Sequence, residues 1–375
     1  MKIAIVSTVN GSPWAGSEEL WYQTALKCLE VGYEVTASVF QVNARCVQHQ
    51  NFKSKGGEII YRKPFWNGRL HVFTHKYISS FNNLFKDDPD VLILSLGCMT
   101  DLGMYPDLVR YLTKNKKIKV VTICLYNSDN IIPDPFTRER IRFFCNRSDE
   151  SIFVSKHNYL LTERQNAIKI KNAHVFSSPV SYQDSHELLP WPEVDGLIQM
   201  ASVARLDVRT KGQDVLLETL STDKWKSRNW HLNIYGKGED FEYISQLIGF
   251  YQLSDKVSFG GFVADTRDIW KKNHMLVMPS RSEGLSLAFL EAMICGRICV
   301  ATDVGGFAEV ITDSESGFLA EAPLAKYFDA ALERAWQNQE NYSSIRIKAN
   351  AAAARVFEVN PIEQMLQFIN NFSIK

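Results

Sequence analysis

Short β-branched runs alternate with amphipathic stretches along this chain, and the alternation constrains the fold more than any other feature. Strands are predicted over 2–9, 34–40, 58–61, 90–96, 119–125 and 151–154, with a helix over 17–31 closed by Gly32. Strands that alternate with helices imply βαβ units and a mainly parallel sheet. Between Val180 and Gly196 the pattern lapses into SYQDSHELLPWPEVDG, which is polar, carries two prolines and has no sustained period. That stretch reads as a linker. The alternation then restarts, with strands predicted over 197–202, 230–235, 256–259, 274–279, 297–301 and 317–320. The 375 residues suit two domains. We therefore expect an α/β protein with two doubly wound domains, over 1–183 and 184–360, and a last helical stretch after Pro361 able to complete either half. Sheets of this kind bind ligands outside the carboxyl ends of their strands, so a cleft between the domains is the expected site.

Charge and composition remove several alternatives. Lys and Arg number 42 and Asp and Glu also 42, so no global charge argues for nucleic acid as a partner. Seven cysteines without a CxxC pair fit a reducing compartment better than a disulfide framework. MKIAIVSTVNGSPW turns polar too early for a secretory signal and reads as a buried first strand. No window approaches the length needed to cross a bilayer. A cytoplasmic protein is expected, with peripheral contact at the inner face of a membrane left open.

The stretch PSRSEGLSLAFLEAM places Glu283 on a turn after a strand and Glu291 in the second turn of the helix that follows. A helix start leaves backbone N–H groups unpaired and carries partial positive charge, which suits a phosphate. Gly284 lets main chain approach a ligand closely. Glu291 cannot cap the helix, but it can accept hydrogen bonds from sugar hydroxyls beside the phosphate, as acids do with ribose. Glu283 would sit on the other side of a diphosphate. The bland alternative is that such acids merely stabilise the helix dipole. Arg205 and Lys211 in ARLDVRTKGQDVLL flank a turn ahead of another helix and could neutralise a diphosphate, one as a planar fork and one as a point charge. The bland alternative there is a solvated basic loop. Gly236 and Gly238, Gly260-Gly261, and Gly305-Gly306 mark further tight turns after strands. Close-approach glycines repeated along one rim favour a nucleotide site.

Together, RLDVRTKGQDVLL, YGKGED and PSRSEGLSLAFLEAMICGRICVATDVGGFAEVITDSESGFLA resemble the GT-B-fold retaining glycosyltransferases of family 4 (glycosyl transferases group 1). Order and spacing match over roughly 120 residues of the second half. The resemblance implies two Rossmann-like domains, the second binding the nucleotide-sugar donor, and a C-terminal helix, 361–375, crossing back to the first. Carried over residue by residue, it implies that Glu291 binds the ribose hydroxyls and Glu283 the donor sugar. Arg205 and Lys211 would grip the diphosphate, and the amides of Leu285, Ser286 and Leu287 would complete its cradle. Gly236 lies on the donor rim, and Val263 where such enzymes touch the base. The first half departs from the family: its usual Gly-Gly turn is Ala15-Gly16 here, with Gly16 kept at the helix start. The histidine that many members carry after the strand over 119–125 is replaced, leaving Asn127 near its place. An asparagine can bond a sugar hydroxyl but cannot titrate near neutral pH; a turn role is its other reading.

Chemistry of this type asks for orientation and stabilisation of a leaving diphosphate rather than acid–base machinery. No His/Cys cluster is present, the resemblance implies no metal or cofactor, and His71 and His75 read as surface residues. Expected partners are a nucleoside-diphosphate sugar and a hydroxyl acceptor, lipid-linked acceptors included. The latter comes from the interleaved basic and aromatic residues of 51–80, which equally suit a solvated loop packed by its aromatics. Two rival functions use the same fold: a nucleotide-sugar 2-epimerase, and a non-catalytic donor-binding partner subunit.

Overall fold

The computed structural model describes all residues except 11–13, 15, 42–45, 64–80, 87, 181–187, 194–195 and 374–375. It divides into two units, one formed by Met1–Pro179 with Val359–Lys375 and the other by Val180–Glu358.

In the first unit, seven strands form one parallel sheet: β1 (Lys2–Ser7), β2 (Glu34–Phe40), β3 (Glu58–Arg62), β4 (Val91–Leu96), β5 (Lys119–Cys124), β6 (Glu150–Phe153) and β7 (Ala173–Val175). Their order is β3-β2-β1-β4-β5-β6-β7, so the winding reverses between β1 and β4. The six residues VLILSL of β4 are all buried, as expected of a central strand with helices on both faces. The second unit repeats the scheme with β8 (Ile198–Val203), β9 (Trp230–Tyr235), β10 (Val257–Gly261), β11 (Met275–Met278), β12 (Ile298–Thr302) and β13 (Phe318–Ala320). The order is β10-β9-β8-β11-β12-β13, and the reversal falls between β8 and β11. Each predicted strand is present within a few residues. β7 was not foreseen, because AHV is short and only half-buried at the sheet edge.

The stretch read as a linker behaves differently over its described part. The unit boundary lies at Pro179/Val180, four residues ahead of the 183/184 division read from sequence. Residues 188–193 are fastened to the second unit. Arg346 donates to Leu189 O and Arg297 to Pro190 O, each at 2.7 Å, and the His274 ring meets Pro192 O at 2.9 Å. Both guanidiniums also lie over the Trp191 ring. Proline-rich chain offers carbonyls that no strand or helix pairs, and the buried Arg297 and half-buried Arg346 satisfy them.

Helix Pro361–Ser373 settles the choice left open by sequence. It belongs to the first unit, with Asn370 accepting from Tyr33 Oη at 2.8 Å and Phe368 against His174 and Phe176.

Candidate functional site

Four turns leave the carboxyl ends of β9, β8, β11 and β12, and they dock on one another in the order of their strands. The turn after β9 meets the turn after β8 through Leu206 N to Lys237 O (3.0 Å) and Val208 N to Asp240 Oδ2 (2.8 Å). Gly236 is required there, since a Cβ would strike the Ala204 carbonyl. The turn after β8 holds a short helix, Val208–Lys211, ended by Gly212 at φ +66°. A side chain at Gly212 would run into the Pro279 carbonyl of the turn after β11. Arg281 N and Ser282 N of that turn donate to Thr210 O at 2.8 and 3.3 Å. The turn after β12 closes the row: Gly306 N donates to Gly284 O at 2.7 Å, and Gly305, at φ +60°, leaves no room for a Cβ against the carbonyls of Glu283 and Gly284. Glycine is needed at these positions because only it combines positive φ with such close main-chain approach.

Glu283 is therefore gripped on both sides. It is 6% exposed, and its carboxylate oxygens accept from Lys211 Nζ at 2.8 and 2.9 Å and from Ser280 Oγ at 2.7 Å. Two of the residues singled out from sequence, 72 positions apart, are thus one ion pair. Lys211 carries three donors, so the pair leaves the ammonium able to face a phosphate.

Gly284 is buried in the turn, and Leu285, Ser286 and Leu287 follow it half-buried at the start of helix Leu287–Ile294. Among the described residues no side chain caps this helix at Ser286, so its first amides are offered outward. Glu291 lies on the same helix and is 9% exposed. Burial pushes its carboxyl up to about 7; a hydrogen bond from Thr266 works against this and the Asp265 charge adds to it. Val263, in the same loop as Thr266, packs half-buried against the second unit's core. Arg205 stands outermost, its side chain 57% exposed, with Nη2 on Asp207 Oδ2 at 2.9 Å.

In the first unit, Gly16 opens a single 3-10 turn, Gly16–Glu18, ahead of helix Glu19–Glu30; Ala15 lies outside the described residues. Asn127 is 3% exposed, and its amide is engaged. Nδ2 donates to Thr162 Oγ1 at 3.1 Å and to Gln165 Oε1 at 2.9 Å, while Oδ1 accepts from Ser128 N at 2.9 Å. This network fits the turn reading of Asn127, as a brace for the turn after β5. His71 and His75 fall outside the described residues, as does most of the basic-aromatic stretch 51–80. Within its described part, Phe52 and Arg62 are turned inward. Phe52 packs edge-on to Trp21, and Arg62 donates to Ser7 O and lies over the Phe40 and Phe81 rings.

Sequence reasoning missed Ser280, Arg281, Asp214 and Thr266, and in the first unit Glu18, whose carboxyl burial also raises to about 7. The close-approach glycines signalled that the turns touch, but their partners are distant in sequence. Among the described residues no group of three His, Cys, Asp or Glu is placed to hold a metal ion, and no helix is long and apolar enough to cross a membrane.

Comparison with known proteins bears on this rim. An uncharacterized glycosyltransferase of Methanocaldococcus jannaschii is 28% identical over 216 residues, 56% of this chain and 56% of that one, so the match spans about half its length. The amylovoran biosynthesis glycosyltransferase AmsD of Erwinia amylovora is 24% identical over 280 residues, 68% of this chain and 74% of that one. The crystal structure of Anabaena HepE in complex with UDP-glucose superposes with a TM-score of 0.74 at 16% identity, over 99% of this chain and 100% of that one. The two parallel-sheet units share the GT-B fold of such structures. Residues 190–352 match the family of glycosyl transferases group 1, and they include all four glycine-docked turns. That match falls in the second unit and covers less than half of the chain.

Proposed function

We propose that this protein transfers a glycosyl group from a nucleoside-diphosphate sugar to a hydroxyl acceptor, with retention at the anomeric carbon and without a metal. The observation that carries the reading is Glu283, buried and paired with Lys211 at the start of an uncapped helix that also bears Glu291. In this reading the diphosphate lies on the amides of Leu285, Ser286 and Leu287, with Lys211 and Arg205 neutralising it. Glu291 accepts from the ribose hydroxyls and Glu283 from hydroxyls of the transferred sugar. The bond from the anomeric carbon to phosphate breaks as the acceptor oxygen bonds to the same face, and the acceptor's proton passes to the leaving diphosphate. The residues of the rim orient the donor and stabilise the charge that develops on the diphosphate. Asn127 has no part in this chemistry. The first unit is the acceptor's half, as the resemblance implies. AmsD supports an acceptor belonging to polysaccharide assembly; HepE, seen with UDP-glucose, makes uridine the first base to try.

A panel of UDP-, GDP-, ADP- and dTDP-sugars, scored by thermal shift and slow donor hydrolysis, tests the proposal. One donor should both stabilise and be hydrolysed. Stabilisation without transfer to any acceptor would favour the partner-subunit reading, C2 inversion of the sugar the epimerase, and no binding would overturn the assignment.

A further inference from the structure

Arg281 lies two residues before Glu283, in the same turn, and it touches the turn after β8 on both sides of Lys211. Its amide donates to Thr210 O at 2.8 Å and Nη1 to Val208 O at 2.6 Å, both ahead of the lysine. Beyond the lysine, Nη1 and Nη2 hold Asp214 Oδ1 and Oδ2, each at 2.7 Å. Asp214 sits in the first turn of helix Gln213–Leu220, so one guanidinium ties the first residue of helix Val208–Lys211 to the first turn of the next helix. The pair is partly buried, its side chains 29% and 28% exposed. A bidentate, charge-assisted fork of this kind is stronger and more directional than a single ion pair, and lysine cannot reproduce it.

The Lys211 stem is flexible by nature, and its ammonium reaches Glu283 across two separate turns. That reach is fixed only while the turns stay in register. We propose that Arg281 is a positioning residue that holds the Lys211 ammonium where a diphosphate binds, by fastening the turn after β8 to the turn that carries Glu283. This rests on the donor-site reading above. Arg281 acts through Lys211, and its loss acts on recognition of the second phosphate rather than on the nucleoside.

The test compares the parent with Arg281→Lys and Asp214→Asn, two variants that keep side-chain bulk and remove the fork from opposite ends. Each is checked for fold by circular dichroism. Calorimetry then measures UDP, GDP, ADP and dTDP, each against its own monophosphate. The parent should prefer one diphosphate. Both variants should lose about tenfold in affinity for it, while affinity for the monophosphate stays within about twofold. The double variant should lose no more than the weaker-binding single variant, since both changes remove one interaction. If the parent discriminates and folded variants discriminate equally well, the positioning role is overturned and the donor site stands. If diphosphate and monophosphate weaken together, Arg281 is a structural tie and the inference again fails. A parent that binds none of these nucleotides overturns the donor site itself, and the inference with it.

Discussion

Each unit ends a parallel sheet in a rim of turns, and each buries one glutamate whose carboxyl is raised to about 7 by burial. The two acids differ in company. Glu18, in the first unit, is wholly inaccessible, accepts from Ser7 Oγ at 2.8 and 2.9 Å, and has the Arg62 charge nearby. Glu291, in the second, is relieved mainly by a bond from Thr266 and sits on a helix with no side-chain cap among the described residues. The same contrast separates Asn127, engaged by Thr162, Gln165 and Ser128, from Glu283, which Lys211 and Ser280 hold. Polar groups that the fold satisfies from within are part of the fold. Those it holds with a lysine, or sets on a helix without a side-chain cap, are the ones a ligand can use.

The largest expected effect comes from breaking that contrast at its sharpest point. Glu283→Ala should lower sugar transfer about 10²-fold or more, since in the proposed donor site it removes the contact to the sugar, and it leaves the Lys211 charge without its partner. Asn127→Ala should leave turnover within about threefold and lower the melting temperature instead. Loss of turnover in a well-folded Asn127 variant would return that residue to the chemistry.

Gly305→Ala comes next. Alanine at φ +60°, pressed on the Glu283 and Gly284 carbonyls, should cost roughly 1–3 kcal/mol in thermal or urea denaturation. It should also displace Glu283 and so reduce turnover. An unchanged stability would mean that the turns are less tightly docked than described.

A subtler effect separates the two buried acids. Glu291 is raised from 4.5 to about 7, so the folded protein holds a proton that the unfolded chain releases between those values. Its contribution is favourable below about pH 4.5 and is lost as pH rises to 7. Glu291→Gln should therefore stabilise the ligand-free protein at pH 8, by at most about 3 kcal/mol, with the difference vanishing near pH 4.5. Glu18→Gln should gain less, because it weakens the bonds from Ser7 and removes the acid beside Arg62. Equal gains would erase the distinction drawn between the two units.

The smallest effect is on binding. Ribose hydroxyls donate to a carboxylate, so in the proposed site nucleotide affinity should rise more steeply as pH passes upward through about 7 in the parent than in Glu291→Gln, where the phosphate's own titration is left. Calorimetry across pH 6–8 reads this directly.

The doubly wound fold was legible because central strands such as VLILSL are continuous apolar runs, and because a helix follows most strands in each unit. The glycines at 236 and 305 announced close main-chain contacts for the same local reason. What those contacts join was not legible. Arg281 stood in the stretch that drew attention first, yet its partner Asp214 lies 67 positions away and only the parallel pairing of β8 and β11 brings them together. Asn127 shows the same limit. Its place after β5 fitted a family pattern, while the residues that engage it, Thr162 and Gln165, lie on a later helix. Residues 188–193 were read as linker because prolines break local pattern, and local pattern cannot show that Arg297 and Arg346 wait for their carbonyls.

The most direct measurement is the kinetic split between the two acids, with kcat and KM for the preferred donor determined for Glu283→Gln and Glu291→Gln beside the parent. The account predicts that Glu283→Gln lowers kcat with nucleotide affinity nearly kept, and that Glu291→Gln weakens nucleotide binding in a protein whose fold is intact. Parent-like transfer by both variants would contradict it, and would place the donor somewhere other than the start of helix Leu287–Ile294.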